Sequence, residues 1–400
     1  MNKKKTGNNK FLREFNQALI LDLIRLNKAI SKAELAKLTG LSPTATGAIT
    51  SSLMEKGYIR EAGIGESSGG RRPILLELNP RSFYSLGVDL DVNCAAVVLV
   101  DITGEIIHEM LVEMPGCASP GETVGIIERE LEHITGQFGI SLEKLVGIGM
   151  SVPGLVNGGT GEIVLAPNLG WENVDIKSGF KKFSGVPVIV ENEAMASAIC
   201  ENWIGMCQGV DDFVCINVKS GIGAGIFTRG KPYKGAGGSA GEVGHIVVDE
   251  NGPKCGCGNY GCLETLASTS RMVEKAKRLV RQGTTSVLNN VGNVDAISID
   301  HVIKAARGGD EEARRLIVES ARYIGIAVSN IVNTLNPSKV IIGKEFVRYA
   351  DLAIDCVRDI VARKALKYPV SKVEIAASAI GEKASALGAA IIPLKTLFGR

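Results

Sequence analysis

The stretch Gly241–Glu264, GEVGHIVVDENGPKCGCGNYGCLE, places His245, Cys255, Cys257 and Cys262 within eighteen residues. One imidazole and three thiolates form a borderline-soft donor set that suits a tetrahedral zinc. The competing reading is a small loop that is cysteine-rich by chance. Against it, three of the chain's nine cysteines fall in eight residues, beside one of only four histidines. Glycines at 256, 258 and 261 are expected to let so short a loop turn its sulfurs inward. With four protein ligands no position remains for an activated water, so the metal is expected to be structural. Glu242 and Glu264 bracket the loop, and the metal would hold both over a ligand.

Outward from this loop, 400 residues predict two to three domains of about 100–200 residues each. The 48 glycines and few aromatics favour an α/β protein with backbone-lined loops. No run of about 20 apolar residues suggests a membrane span. The opening MNKKKTGNNK lacks the apolar core of a signal peptide, so the cytoplasm is the expected compartment. The other cysteines, at 94, 117, 200, 207, 215 and 356, are scattered as reduced thiols would be. Residues 1–80 carry 13 Lys/Arg against 7 Asp/Glu, and the remaining 320 carry 32 against 36, so the balances are +6 and −4. The positive end is where nucleic acid would bind.

In that end, Phe15, Leu19, Ile20, Leu23, Ile24 and Leu26 form a helical stripe. Ser31 with Glu34 is a capping box opening a second helix to Leu38. After the turn Thr39-Gly40-Leu41, Ser42 and Pro43 supply the N-cap and first residue of a third helix to about Lys56. Thr46, Ile49, Thr50 and Leu53 share its inner face. Ser42, at its start, with Thr44, Ala45, Gly47, Ala48 and Ser51 are left for a major groove. Two short strands, 57–60 and 73–78, flank a Gly/Ser-rich tip ending in Arg71 and Arg72, placed for phosphates or a minor groove. A three-helix packing module that binds no DNA is the alternative. Asn79-Pro80 marks the expected boundary of a winged helix-turn-helix, 1–80.

Beyond it, strand runs at 86–91, 95–100, 105–113 and 145–150, with a helix near 121–136, predict a mixed sheet with helices on its faces. Pro153-Gly154 and 167–171 read as loops after apolar strands, where open α/β sheets place ligands. A strand at 187–190 ends in Glu191-Asn192-Glu193-Ala194 at a helix mouth. Glu193 could serve there as a base or as a helix N-terminal charge. After a strand at 213–218, the alternate glycines of Lys219–Gly225 could face a phosphate or form a hairpin. Helices are expected at 267–281, 299–307, 311–333, 352–365 and 384–392, with strands at 340–343 and 373–377.

With its GExGH and CxCGxxGCxE patterns complete, the chain resembles the ROK family (repressors, open reading frames and sugar kinases), in particular its repressors. The resemblance spans essentially the whole chain. It implies an N-terminal winged helix-turn-helix followed by a two-lobed actin-like/sugar-kinase (ribonuclease H-like) ATPase fold of the α/β class. The lobes would be 81–190 plus 384–400 and 191–383. The resemblance implies that His245, Cys255, Cys257 and Cys262 bind one zinc. It further implies that Asn168, Asn192, Glu193, Glu242, His245 and Glu264 surround a sugar.

The departures argue against a kinase. Where the family's kinases read DxGGT, this chain reads Asp89-Leu90-Asp91-Val92-Asn93, and two carboxylates would repel phosphate. Glu193 stands at the catalytic Asp, shifting the carboxylate by about 1 Å, enough to cost about 10²-fold in rate. Gly343-Lys344-Glu345 stands at a Gly-Gly-Gly. No catalytic residue and no ATP are therefore expected. The implied function is that of a repressor, as a homodimer or tetramer, which a monosaccharide releases from double-stranded operator DNA, with no membrane partner. The Asn192-Glu193 form is that of the family's xylose-responsive members, so xylose is the expected effector, with glucose or another aldose next. The alternatives are an active sugar kinase carrying a DNA-binding domain, and a zinc-stabilised regulator with no small effector.

Overall fold

The computed structural model describes residues 9–66, 72–116, 118–284 and 286–399. The chain divides into two compact units, Met1–Met150 with Val174–Val190 and Ala389–Arg400, and Ser151–Asn173 with Glu191–Gly388. Three features differ from the expected domains. The winged region clusters with the first sheet, and both Ser151–Asn173 and residues 384–388, expected in the smaller lobe, go with the second unit.

The first unit opens with helices Asn9–Asn27, Lys32–Thr39 and Pro43–Glu55 and strands Ile30–Ser31, Ile59–Ile64 and Ile74–Leu78, the last in the middle of a three-stranded sheet. Both capping-box bonds form: Ser31 N–H donates to Glu34 Oε2 at 3.0 Å, and Glu34 N–H to Ser31 Oγ at 3.2 Å. The helix ends at Gly40 with φ +69°, which glycine adopts without strain. The buried face of Asn9–Asn27 is rotated from the expected stripe. Ile20, Leu21 and Ile24 are buried, whereas Phe15 and Leu26 are exposed. Asn79, expected to mark a boundary, ties the base of the wing instead, its Nδ2 donating to Gly57 O at 3.0 Å.

The first core sheet runs in the order Val188–Asn192, Leu145–Val152, Tyr84–Leu90, Cys94–Asp101, Ile106–Glu113. Its last three strands form an antiparallel meander. Helix Pro120–Gln137, capped by Ser119 and Glu122, buries Val124, Ile127, Leu131 and Ile134 at the 3–4-residue spacing of one helical face. The end of helix Ala384–Leu397 lies close on this sheet, since a Cβ at Gly149 would fall 1.8 Å from Ala389 O.

The second unit repeats the pattern: Lys231–Pro232, Ile222–Thr228, Phe213–Val218, Lys339–Lys344, Glu374–Ala377. The first three are antiparallel and the last two join in parallel. Helices Glu311–Leu335 and Ala350–Lys364 cross closely at Gly325, where a Cβ would lie 2.7 Å from Ile360 Cβ. The expected helix 267–281 starts two residues later, as Thr269–Arg281, because the Ser268 side chain caps it by accepting from Arg271 N–H, and a separate short helix, Leu263–Ala267, precedes it. The region read as loops around Pro153 and Pro167 contains a small sheet, Leu155–Val156, Ile163–Ala166 and Trp171–Val174. No helix among the described residues is long and apolar enough to cross a membrane.

Candidate functional site

The metal loop is folded by its own backbone. Cys255 N–H donates to Asn259 O at 2.7 Å and Gly258 N–H to Cys255 O at 3.0 Å, while single bridges pair Val247 with Cys262 and Lys254 with Tyr260. Gly258 and Gly261 have φ of +99° and +66°, and a Cβ at Gly261 would sit 1.5 Å from Asp249 O. Gly256 has neither a positive φ nor a neighbour that a Cβ would meet, so the expected need for glycine there is not found.

The ligand atoms of His245, Cys255, Cys257 and Cys262 all lie within 4.8 Å of one another. Cys257 Sγ is 3.7 Å from Cys262 Sγ, and Cys255 Sγ is 3.6 Å from His245 Nδ1. A tetrahedral zinc with Zn–S of about 2.3 Å and Zn–N of about 2.0–2.1 Å has edges of about 3.8 and 3.6 Å. The group therefore fits such an ion. The backbone N–H of Asn259 draws the Cys257 thiol down to about 7, while burial and the neighbouring sulfurs push Cys262 up to about 12.

The pattern GExGH follows from close packing on strand Ile222–Thr228. A Cβ at Gly241 would be 1.9 Å from Ala224 O, and one at Gly244 2.2 Å from Ile222 O. His245 is thus placed by a tight turn, Val243–His245, with Glu242 at its start. On the far side of the loop, Glu264 in Leu263–Ala267 accepts Ile222 N–H at 3.1 Å. The Glu242 carboxyl is raised above its ordinary range by the protein around it, with Glu264 adding to this and His245 opposing it.

Asn192 ends strand Val188–Asn192 and caps helix Glu193–Trp203. Its Oδ1 accepts from Ala194 N–H at 2.9 Å and Met195 N–H at 3.2 Å, and its Nδ2 donates to Gly154 O at 2.9 Å. Asn192 and Glu242 line one cleft with Gly154, Glu191, Lys234 and Ser239. The other residues expected around a sugar do not line it. Asn168 is exposed on the turn Pro167–Leu169, Glu193 is half-buried in the first turn of the helix, His245 belongs to the metal group, and Glu264 is bound to Ile222. Sequence reasoning did not single out Glu191 and Lys234, which line the same cleft. Glu191 carried a signal in its place beside Asn192; Lys234 carried none.

The segment Lys219–Gly225 is a hairpin, with Val218 paired to Ile222. Gly225 serves packing there, as a Cβ would lie 2.4 Å from Ala198 Cβ. Asp89–Asn93 likewise lies in a hairpin: Asp89 and Leu90 pair with Ala96 and Ala95, and the turn 91–93 is closed by Asp91 N–H to Cys94 O at 2.8 Å. Lys344 holds φ +59° and ψ −142°, a region nearly restricted to glycine, and its buried ammonium meets the Ser385 hydroxyl.

On helix Pro43–Glu55, Thr46, Thr50 and Leu53 are buried, and Thr44, Ala48 and Ser51 are exposed, with Ala45 and Gly47 half-buried. Ser42 Oγ accepts Ala45 N–H at 3.2 Å, so it acts as the cap. Arg72 is exposed, and Arg71 lies outside the described residues.

A sequence profile of the ROK family matches residues 85–396, and one of winged helix-turn-helix DNA-binding domains matches residues 17–60. The chain is 34% identical over 382 residues to a xylose repressor of Caldicellulosiruptor bescii, covering 96% of each chain. Among solved structures it is similar to a ROK family transcriptional regulator described as a homologue of the E. coli Mlc protein, with a TM-score of 0.84, 28% identity and 97% of each chain covered. It is also similar to a ROK family glucokinase from Streptomyces griseus in complex with glucose and AMPPNP, with a TM-score of 0.69 and 31% identity, covering 77% of this chain and 98% of that one.

Proposed function

The chain belongs to the ROK family, and from that premise we propose that it is a sugar-responsive transcriptional repressor that a monosaccharide, D-xylose first, releases from operator DNA. The observation that carries this reading is the presence in one chain of an exposed, small-residue helix face and a cleft lined by Asn192 and Glu242. Small side chains at Thr44, Ala45, Gly47, Ala48 and Ser51 let the helix enter a major groove, and Arg71 and Arg72 of the wing neutralise phosphate. A homodimer presents two such helices to a palindromic operator, in the cytoplasm.

In this reading His245, Cys255, Cys257 and Cys262 hold one structural zinc. With Nδ1 on the metal, the other ring nitrogen of His245 is left for a sugar hydroxyl. Glu242 supplies an acceptor beside Asn192 in the cleft, and Glu264, Asn168 and Glu193, outside its present lining, meet the sugar once the cleft has opened. Sugar acts by binding the low-operator-affinity form more tightly, since equal affinity for both forms would shift nothing.

The reading excludes kinase activity. The hairpin turn at Asp89–Asn93 carries side chains in place of paired glycines, Glu193 stands at the base position, and Lys344 buries an ammonium where the family's kinases have glycine. Operator fragments selected from a random DNA pool, titrated in a mobility-shift assay with a monosaccharide panel, test the proposal. Release by D-xylose is expected, and operator affinity indifferent to every sugar would sink it. A coupled ADP-release assay should show no turnover.

A further inference from the structure

One side of the cleft that holds Asn192 and Glu242 is shut by a side chain. Lys234 Nζ meets Glu191 Oε2 at 2.5 Å, and the carboxylate accepts Asn192 N–H at 3.1 Å through Oε1. The lysine stem runs against the turn after Leu155–Val156, where a Cβ at Gly158 would come within 3.1 Å of Lys234 Cδ. As it stands, the cleft has room for about one water-sized sphere. A pentopyranose is many times larger.

The main chain around the lysine is fixed. Tyr233 N–H donates to Ile226 O at 2.8 Å, and Ala240 N–H donates to Lys234 O at 3.1 Å. Gly238, at φ +84°, packs so close that a Cβ would lie 3.2 Å from Gly158 N. What can move is the lysine side chain, which is 36% exposed against 11% for that of Glu191. The ammonium itself loses little by swinging out, because it regains water. Leaving Oε2 of the buried Glu191 carboxylate without its donor is costly, so whatever displaces Lys234 must bring a donor of its own. A neutral polyhydroxyl ligand does so; an apolar one has no donor, and an anionic one would set a like charge against the carboxylate.

We propose that Lys234 is the gate and specificity determinant of the effector cleft. Its pair with Glu191 closes the cleft, a sugar hydroxyl takes its place on Glu191, and the stem against Gly158 limits the length of sugar admitted. This rests on the effector reading above. A closed population lowers apparent affinity by the fraction that is open.

Isothermal titration of the full chain with D-xylose, D-glucose and a wider monosaccharide panel tests the gate in wild type, Lys234→Ala, Lys234→Met and Lys234→Arg. Lys234→Ala is expected to lower the Kd for D-xylose by roughly threefold to tenfold and to gain binding of D-glucose, which carries an extra hydroxymethyl group. Lys234→Met keeps the stem and should tighten xylose without admitting glucose, and Lys234→Arg should match wild type. Should Lys234→Ala fail to fold by its circular-dichroism melt, Lys234→Met carries the test. Xylose affinity unchanged or weakened in a folded variant that has lost the ammonium overturns the gate alone. If neither wild type nor those variants bind any sugar, the effector reading falls, and the gate with it.

Discussion

Glu264 Oε2 sits 3.1 Å from the backbone nitrogen of Ile222, forty-two residues away in the chain. The carboxylate that follows the last cysteine of the metal group is thereby tied to the first residue of strand Ile222–Thr228. Ile222 is buried, so removing the acceptor leaves its N–H unsatisfied at a cost of about 1–3 kcal/mol. Glu264→Ala should lose stability of that order in urea denaturation. Glu264→Gln, which keeps an acceptor, should lose far less while still weakening the sugar response. Equal stability losses in the two variants would show that the bond to Ile222 does not hold the site.

Metal removal should act through the same loop. Zinc analysis by mass spectrometry is expected to find one ion per chain, and Cys255→Ser to lower that content. Chelation should depress the melting temperature and blunt sugar-induced release in the mobility-shift assay. A chelated protein with unchanged melting and response would reduce the loop to a surface ornament.

Lys344 keeps a backbone conformation that costs on the order of 1–3 kcal/mol for any residue but glycine. Lys344→Gly and Lys344→Ala both delete the side chain and its bond to Ser385, so they differ chiefly in that strain. The glycine variant should be the more stable of the two by about 1 kcal/mol. Neither should gain ATP turnover, because the Asp89–Asn93 turn and Glu193 are unchanged.

Asp310 caps the long helix Glu311–Leu335. It accepts Ala313 N–H at 2.9 Å through Oδ1, and Val287 N–H at 2.6 Å and Ser286 Oγ at 2.8 Å through Oδ2. Burial pushes its pKa up, but these hydrogen bonds together outweigh burial, and the carboxyl is held below its ordinary value. A depressed folded pKa means stability that is fully present above the unfolded value of about 3.9 and is lost as pH falls through the folded value. The stability advantage of wild type over Asp310→Asn should therefore be flat from about pH 5 to 7 and shrink below about pH 3.9. An advantage that persists undiminished at lower pH would contradict the charge-assisted cap.

Ala48 is exposed on the outer face of Pro43–Glu55, and Arg72 is exposed in the connection between the two wing strands, just before Ile74–Leu78. Ala48→Glu should abolish operator binding while leaving the sugar-induced thermal shift in place. Arg72→Ala should weaken binding to all sequences alike and reduce the slope of log affinity against log salt by about 1. Full operator affinity in Ala48→Glu would remove this helix from the groove.

Local chemistry was legible in the sequence. The capping box at Ser31 and Glu34, the cap at Ser42, and the bounds of 299–307 follow from neighbours three or four residues apart, and the structure has all three. The group His245, Cys255, Cys257 and Cys262 could be named because short loops can bring together only what is near in the chain, and these side chains do converge. One detail of local reading failed where packing overrode it: the buried face of Asn9–Asn27 turned toward Leu21.

The sequence by itself determined the His/Cys group that converges, the helix caps and the family, because each is written in short spacings or fixed motifs. Only the tertiary structure decided that Gly225 is there for Ala198, that Asn192 is occupied as a cap and a strap to Gly154, and that Lys234 closes on Glu191 forty-three residues away. Those contacts depend on which strands become neighbours and how closely a helix lies on them, and no local period in the chain records either.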